Sequence, residues 1–305
     1  MKQIINPLRK AFTLIEMIIV MVVLGIIANF GVEILVNAYS NYIFTSVQNR
    51  LQSQSEAAVN QIGNRLEYRI KESTIARTAT GAAHVPLATA PAGMNARVLE
   101  WVSIDREGWL GSTNIPLWSG FIDVNNPSGN ANRLITPQSD LATLNTLIGN
   151  IAPSGSGVAD AAIYFLGGSG DTTNGFGWSG AALGTQNQLL HPINPTADGN
   201  FTSSIAGVNF AGVDIFEFYQ LTWTAYAVSF ENADADGRGE LVLYYDYQPW
   251  LGESIAAASR EVLMQNVTTF AFKAEGDVVS VQVCVSDEGL SDTNAYSVCK
   301  EKTIL

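Results

Sequence analysis

With 305 residues, 47% of them apolar and only 14% charged, the chain can bury a core and is too apolar to stay disordered. A formal charge of −12 repels phosphate backbones, so nucleic acid is not expected as a partner of the folded part. Its two histidines, His84 and His191, stand alone in proline-containing stretches with no second ligand at metal spacing, which argues against a histidine-based metal centre.

The first element is apolar. From Phe12 to Ala28 every residue except Thr13, Glu16 and Gly25 is apolar, and the run continues with interruptions to Val36. About 20 such residues cross a bilayer core of roughly 30 Å as a helix. Lys2, Arg9 and Lys10 precede it and no acid occurs among the first eleven residues, so the N-terminus is expected in the cytoplasm and the remainder across the membrane. A secretory signal peptide is the rival reading, with cleavage near Ala28. The apolar run goes on through Phe30, Val32, Ile34, Leu35 and Val36, which a signal peptide does not need. Glu16 is the anomaly, since a carboxylate at a membrane-helix centre costs on the order of 2.5–3.5 kcal/mol, less near an end. Such a residue implies a partner.

The residues Lys10, Ala11, Phe12, Thr13, Leu14, Ile15 and Glu16 resemble the processing site of type IV pilins and type II secretion pseudopilins. In that family a basic leader is cut before a phenylalanine, and a glutamate stands at the fifth mature position. The resemblance implies cleavage by prepilin peptidase between Ala11 and Phe12, N-methylation of Phe12, and pairing of Glu16 with a Phe12 amine when subunits stack. It departs from the family in having Ala11 where glycine is usual. It also implies an inner-membrane protein with an exported head, later a filament subunit. Its partners would be other pilins or pseudopilins, the peptidase and an inner-membrane assembly platform.

No proline interrupts the chain between Pro7 and Pro86. Beyond the apolar run, Ile43, Val47, Leu51, Ala58, Val59, Ile62, Leu66 and Ile70 recur at helical steps, with Gln48, Gln52, Glu56 and Asn60 between them. A helix from about Phe12 to Thr74 would be roughly 90 Å long. The expected fold is therefore α+β and pilin-like, a long N-terminal helix packed on an antiparallel β head. The expected divisions are a leader (1–11), a membrane or filament-core helix (12–36), an amphipathic helix (37–78), an elaborated β and loop region (79–212) and a C-terminal β region (213–305).

In that last region the runs 214–219, 221–231, 240–247, 268–274 and 278–286 are rich in Val, Tyr, Phe, Thr and Trp, with turn residues between them. Residues 260–272 loosely resemble the late strands of large minor subunits, the J-type pseudopilins and W-type minor pilins. Cys284 and Cys299, a close pair in an exported chain, favour a disulfide over two free thiols, and pilins often carry such a C-terminal bridge.

Asn232, Asp234 and Asp236, followed by Gly237, match the opening of an EF-hand calcium loop, with Glu240 as a further ligand. Leu243 stands where that loop needs a bidentate glutamate, and a tight Asp/Gly hairpin turn is the alternative. Calcium is thus an optional ligand, and no cofactor is required. Gly175, Gly177 and Gly180 spell GxGxxG, but no apolar strand precedes them, so no dinucleotide site is expected. Neither a nucleophile elbow nor a phosphate loop occurs, and an enzyme is not expected. The resemblance points to a minor pilin or pseudopilin, sited at a filament tip by its large head. The alternative is a pilus-borne adhesin or competence subunit, for which Arg97, Arg106 and Arg133 would have to form a basic patch in the elaborated region.

Overall fold

The computed structural model describes residues 13–91, 93–111, 115–287 and 296–305. The chain divides between Arg50 and Leu51 into two compact units. Helix α1 (Leu14–Leu66) supplies the first unit and opens the second. Within the second unit it buries Leu51, Ser55, Ala58, Val59, Ile62, Gly63 and Leu66, one stripe at three- and four-residue steps, while Gln52, Glu56 and Asn60 stay exposed.

Among the described residues the further α-helices and strands are β1 (Ile75–Arg77), β2 (His84–Pro86), β3 (Val98–Ser103), α2 (Arg106–Leu110), α3 (Leu141–Ile151), β4 (Ala162–Phe165), β5 (Leu190–Pro195), β6 (Phe201–Ser203), β7 (Tyr219–Thr222), β8 (Thr224–Glu231), β9 (Gly239–Tyr245), β10 (Ser259–Glu275), β11 (Val278–Asp287) and β12 (Tyr296–Ile304). An eight-stranded antiparallel sheet runs β12-β11-β10-β9-β8-β3-β1-β2, and a four-stranded antiparallel sheet runs β6-β5-β4-β7. The α+β architecture expected from sequence is present.

Alternation along the strands builds the layers. On one face of the large sheet, Trp101 stacks on Tyr226 and the Arg65 guanidinium lies over the Tyr226 ring, so this face meets the C-terminal turns of α1. Farther along, Lys302 Nζ donates to Asn60 and Lys300 faces Glu56. Gly63 leaves room for that lysine, since a Cβ on it would meet the Lys302 side chain at 2.8 Å and push it aside. The opposite face carries Val98, Val102, Ala225, Ala227, Val242 and Tyr244, which pack with Ala162, Tyr164 and Leu190 of the small sheet. The far side of the small sheet, with Ile163, Phe165, Ile193 and Leu221, packs with Leu141, Leu144 and Ile148 of α3. Every residue of β3 is buried because both its faces are covered.

Several boundaries differ from the sequence expectation for physical reasons. Helix α1 stops at Leu66, short of Thr74, because Ile70 is buried through the sheet instead: its N–H donates to Val102 O, and Ser73 Oγ accepts from Val102 N. The single strand expected over 221–231 breaks at Trp223, where the chain passes from the small sheet to the large one. Of the strand expected over 214–219, only Tyr219 lies in a named strand, β7. Helix α3 was not anticipated in a region expected to be β-rich. Asp140 caps it by accepting from Thr143 N. The large sheet draws β2 and β3 from the region assigned to an elaboration, and β7 leaves the C-terminal region for the small sheet.

Cys284 and Cys299 are bonded and face each other across the β11–β12 ladder. The bond ties edge strand β12 to the sheet and closes a 15-residue separation, worth about 3 kcal/mol in the chain-entropy model.

Two buried acids shape the energetics. Glu100 on β3 lies in the layer between the sheets and pairs with Arg77 of β1, Nε–Oε1 at 2.8 Å and Nη2–Oε2 at 3.4 Å. Burial pushes its carboxyl up, opposed by the charge and hydrogen bonds of Arg77. Asp105 caps α2 by accepting from Gly108 N at 3.1 Å, and burial pushes it up to about 6.

Arg77→Ala strands the Glu100 charge and is expected to lower stability by about 3–5 kcal/mol, whereas the Arg77→Met/Glu100→Leu pair should recover most of that loss in denaturant titration. A folded-state pKa raised from 3.8 to about 6 means that the Asp105 contribution is complete below pH ~4 and is lost as pH rises through 6. Thermal melts of Asp105→Asn, which keeps a capping oxygen, should lose that pH dependence, a difference on the order of 2–3 kcal/mol between pH 4 and 7.

Candidate functional site

The start of α1 concentrates the features that sequence alone marked as unusual. Large apolar side chains from Leu14 to Val36 are all exposed, Leu14 at 79% and Leu35 at 70%. Among the described residues α1 is the one helix long and apolar enough to cross a membrane, with mean hydropathy 2.5 over its best 18-residue window. An apolar surface of this extent fits lipid or other apolar chains, not water.

Glu16 is held by the residue that begins the helix. Thr13 N donates to Glu16 Oε2 at 3.0 Å, Thr13 Oγ1 donates to the same oxygen at 3.0 Å, and Glu16 N donates back to Thr13 Oγ1 at 3.4 Å. Met17 N donates to Thr13 O and closes the first helical turn. This is a capping box, in which threonine and the glutamate three residues later satisfy each other's end groups. The helix dipole adds a favourable field for the carboxylate at this end. Sequence reasoning found Glu16 but not its partner Thr13; the signal available was the T-x-x-E spacing ahead of an apolar run. Such neutral donors hold the carboxylate without discharging it, so it remains able to take up a cation.

Ala11 and Phe12, where cleavage and methylation were expected, lie outside the described residues. The other sequence-marked residues are separate from this site. In the turn between β8 and β9, Asp234 Oδ1 accepts from the N–H groups of Asp236 and Arg238, and the Arg238 guanidinium reaches Asp234 at 3.3 Å and Asp236 at 2.6 Å. Asn232 Nδ2 donates to Glu240. Among the described residues no three His, Cys, Asp or Glu side chains gather to hold a metal, Asp234, Asp236 and Glu240 included. The Arg238 guanidinium thus engages two of the residues expected as calcium ligands.

The GxGxxG glycines lie in turns between β4 and β5, with no helix following. Gly177 has φ +86°, and a Cβ there would run into Pro249 O. His84 Nε2 donates to Thr173 O, while burial pushes His191 down to about 4. Trp101, Trp118, Trp178, Trp223 and Trp250 fill the interior, and only Trp109 is substantially exposed. The three arginines considered for a basic patch have local partners: Arg97 lies over Phe230, Arg106 over Tyr68, and Arg133 pairs with Asp198.

A family model, the prokaryotic N-terminal methylation motif, matches residues 7–28. No curated protein and no solved structure matches the chain. The matched segment contains both members of the capping box. It supports a type IV pilin-like subunit, and such a motif implies processing by prepilin peptidase and assembly with other pilin subunits.

Thr13→Val removes the hydroxyl from the box and should cost about 1 kcal/mol at the helix start. Amide exchange at Glu16 and Met17 in neutral-detergent micelles should rise severalfold, while Thr13→Ser stays near wild type. With Arg238 already on the acidic turn, millimolar calcium is expected to leave the melting temperature of the chain unchanged.

Proposed function

We propose that this protein is a minor structural subunit of a type IV pilus or type II secretion pseudopilus, built into the filament through α1. The observation that carries the reading is a carboxylate, Glu16, closed onto the helix start within a run of exposed apolar side chains, inside the segment that matches the methylation motif.

The apolar turns of α1 hold the subunit in the inner membrane, with its N-terminus cytoplasmic and its head on the far side. Prepilin peptidase cuts between Ala11 and Phe12 and methylates the new Phe12 amine. When subunits stack, the amine of one approaches Glu16 of another. Opposite unit charges about 4 Å apart gain roughly 4 kcal/mol at an effective dielectric near 20. An ionic hydrogen bond of that kind is stronger than the neutral ones from Thr13, so the exchange runs toward the paired state. A subunit out of step would leave Glu16 with only its own cap among apolar side chains. The carboxylate thereby gauges register along the filament.

A two-sheet head is large for a subunit repeated along a shaft, where lateral neighbours crowd each head. That bulk supports a place at or near the tip.

Mass spectrometry of the N-terminal peptide tests the processing step. The expected peptide begins at Phe12 and carries one extra methyl group, and in cells lacking prepilin peptidase it begins upstream. A mature chain that starts after Ala28 would identify a secretory signal peptide and overturn the proposal.

A further inference from the structure

Between Met17 and Phe44 of α1, the charged and amide side chains are Asn29, Glu33, Asn37 and Asn41, each four residues from the next. All four are exposed, and none carries a side-chain hydrogen bond or ion pair among the described residues. Successive members turn about 40° around the helix axis, so Asn29, Glu33 and Asn37 form one ridge about 80° wide. Apolar side chains flank it, with Phe30 and Ile34 themselves exposed.

Glu33 stands about 26 Å along the helix from Glu16, near the far boundary of a bilayer core, where water reaches a carboxylate. That place accommodates one acid. It does not account for an amide one turn to either side of the acid on the same ridge.

An ionised carboxylate only accepts hydrogen bonds, and each asparagine amide supplies two donors. Two parallel copies of this helix set level would place Glu33 against Glu33, like charge on like. Sliding one copy by four residues brings its Glu33 to the Asn37 of the other and its Asn29 to the other's Glu33. Both contacts are then hydrogen bonds to an ionised group. The ridge is complementary to itself at this offset, which singles out a second copy of the chain as its occupant. A polar side chain in an otherwise apolar helix seam fixes register in the same way in coiled coils. Four residues also separate Phe12 from Glu16, so a single stagger serves both ends of the apolar run.

We propose that α1 packs in parallel against α1 of a second copy, offset by four residues, through Asn29, Glu33 and Asn37. This rests on assembly through α1 as proposed above, and adds that the chain enters the filament as adjacent copies.

The test co-expresses two full-length copies with different tags and introduces cysteines off the polar ridge but on its side of the helix. Val22→Cys in one copy and Ile26→Cys in the other are four residues apart, each within about 20° of Glu33 around the axis. Copper-phenanthroline cross-linking in sheared filaments is read by immunoblot for both tags. The offset pair should cross-link about fivefold more than Ile26→Cys in both copies. It should exceed by a similar factor Val20→Cys with Leu24→Cys, which has the same offset on the opposite side. Glu33→Leu in both copies should bring the product down to the control level, while Glu33→Gln, which can still hydrogen-bond, should keep most of it. The three cysteine pairs decide the matter even where Glu33→Leu fails to enter filaments. With the chain present in the sheared fraction, no cross-link between tags, equal yields from the three pairs, a stronger level pair, or a yield unchanged by Glu33→Leu would each overturn the proposal and leave the filament reading standing. Absence of the wild-type chain from that fraction would overturn both.

Discussion

A charged oxygen among exposed apolar side chains must be held by something, and at the start of α1 the holder is Thr13. The threonine N–H and hydroxyl both reach Glu16 Oε2, so the helix end and the acid complete each other. The arrangement suits a molecule that waits in a membrane. It limits the desolvation penalty of the carboxylate within the subunit, yet it uses only neutral donors and leaves the negative charge available. Both residues fall within the motif matched at 7–28, which joins the local chemistry to assembly.

The second unit solves a different problem, the burial of a sheet on both faces. Residues 51–66 of α1 cover one side of the large sheet and the small sheet covers the other, which is why β3 has no exposed residue. With both faces covered, Glu100 on β3 is buried, and Arg77 pairs with it there. The exposed edge at β12 is managed by the Cys284–Cys299 bond and by Lys300 and Lys302, which reach back to Glu56 and Asn60. The cap at the start of α1 and the buried ion pair of the head therefore draw on different residues, Thr13 with Glu16 and Arg77 with Glu100.

Much of this was legible in the sequence where periodicity and composition are strong. The apolar run, the stripe from Leu51 to Leu66 and the Val/Tyr-rich strands all declared themselves, and so did the close cysteine pair. What was hidden depended on partners distant in sequence. Ile70 continues the helical pattern in the text, but pairing with Val102 decides that it lies at the sheet. Nothing local separates Leu221 from Ala225, and only the second sheet shows why the chain changes course at Trp223. Helix α3 went unread: Asp140 caps it and Leu141, Leu144 and Ile148 share a face, but the glycine- and serine-rich surroundings read as loop and strand. The acidic turn shows a related case: its spacing suggested calcium, and what the spacing did not show is that the Arg238 guanidinium engages Asp234 and Asp236.

Incorporation of a Glu16→Leu variant into sheared surface filaments, measured by immunoblot beside its level in the membrane fraction, tests the central claim most directly. The account predicts wild-type abundance in the membrane and loss from filaments, because leucine keeps the helix apolar but cannot receive the Phe12 amine. Leucine-bearing subunits found in filaments at the wild-type level would contradict it.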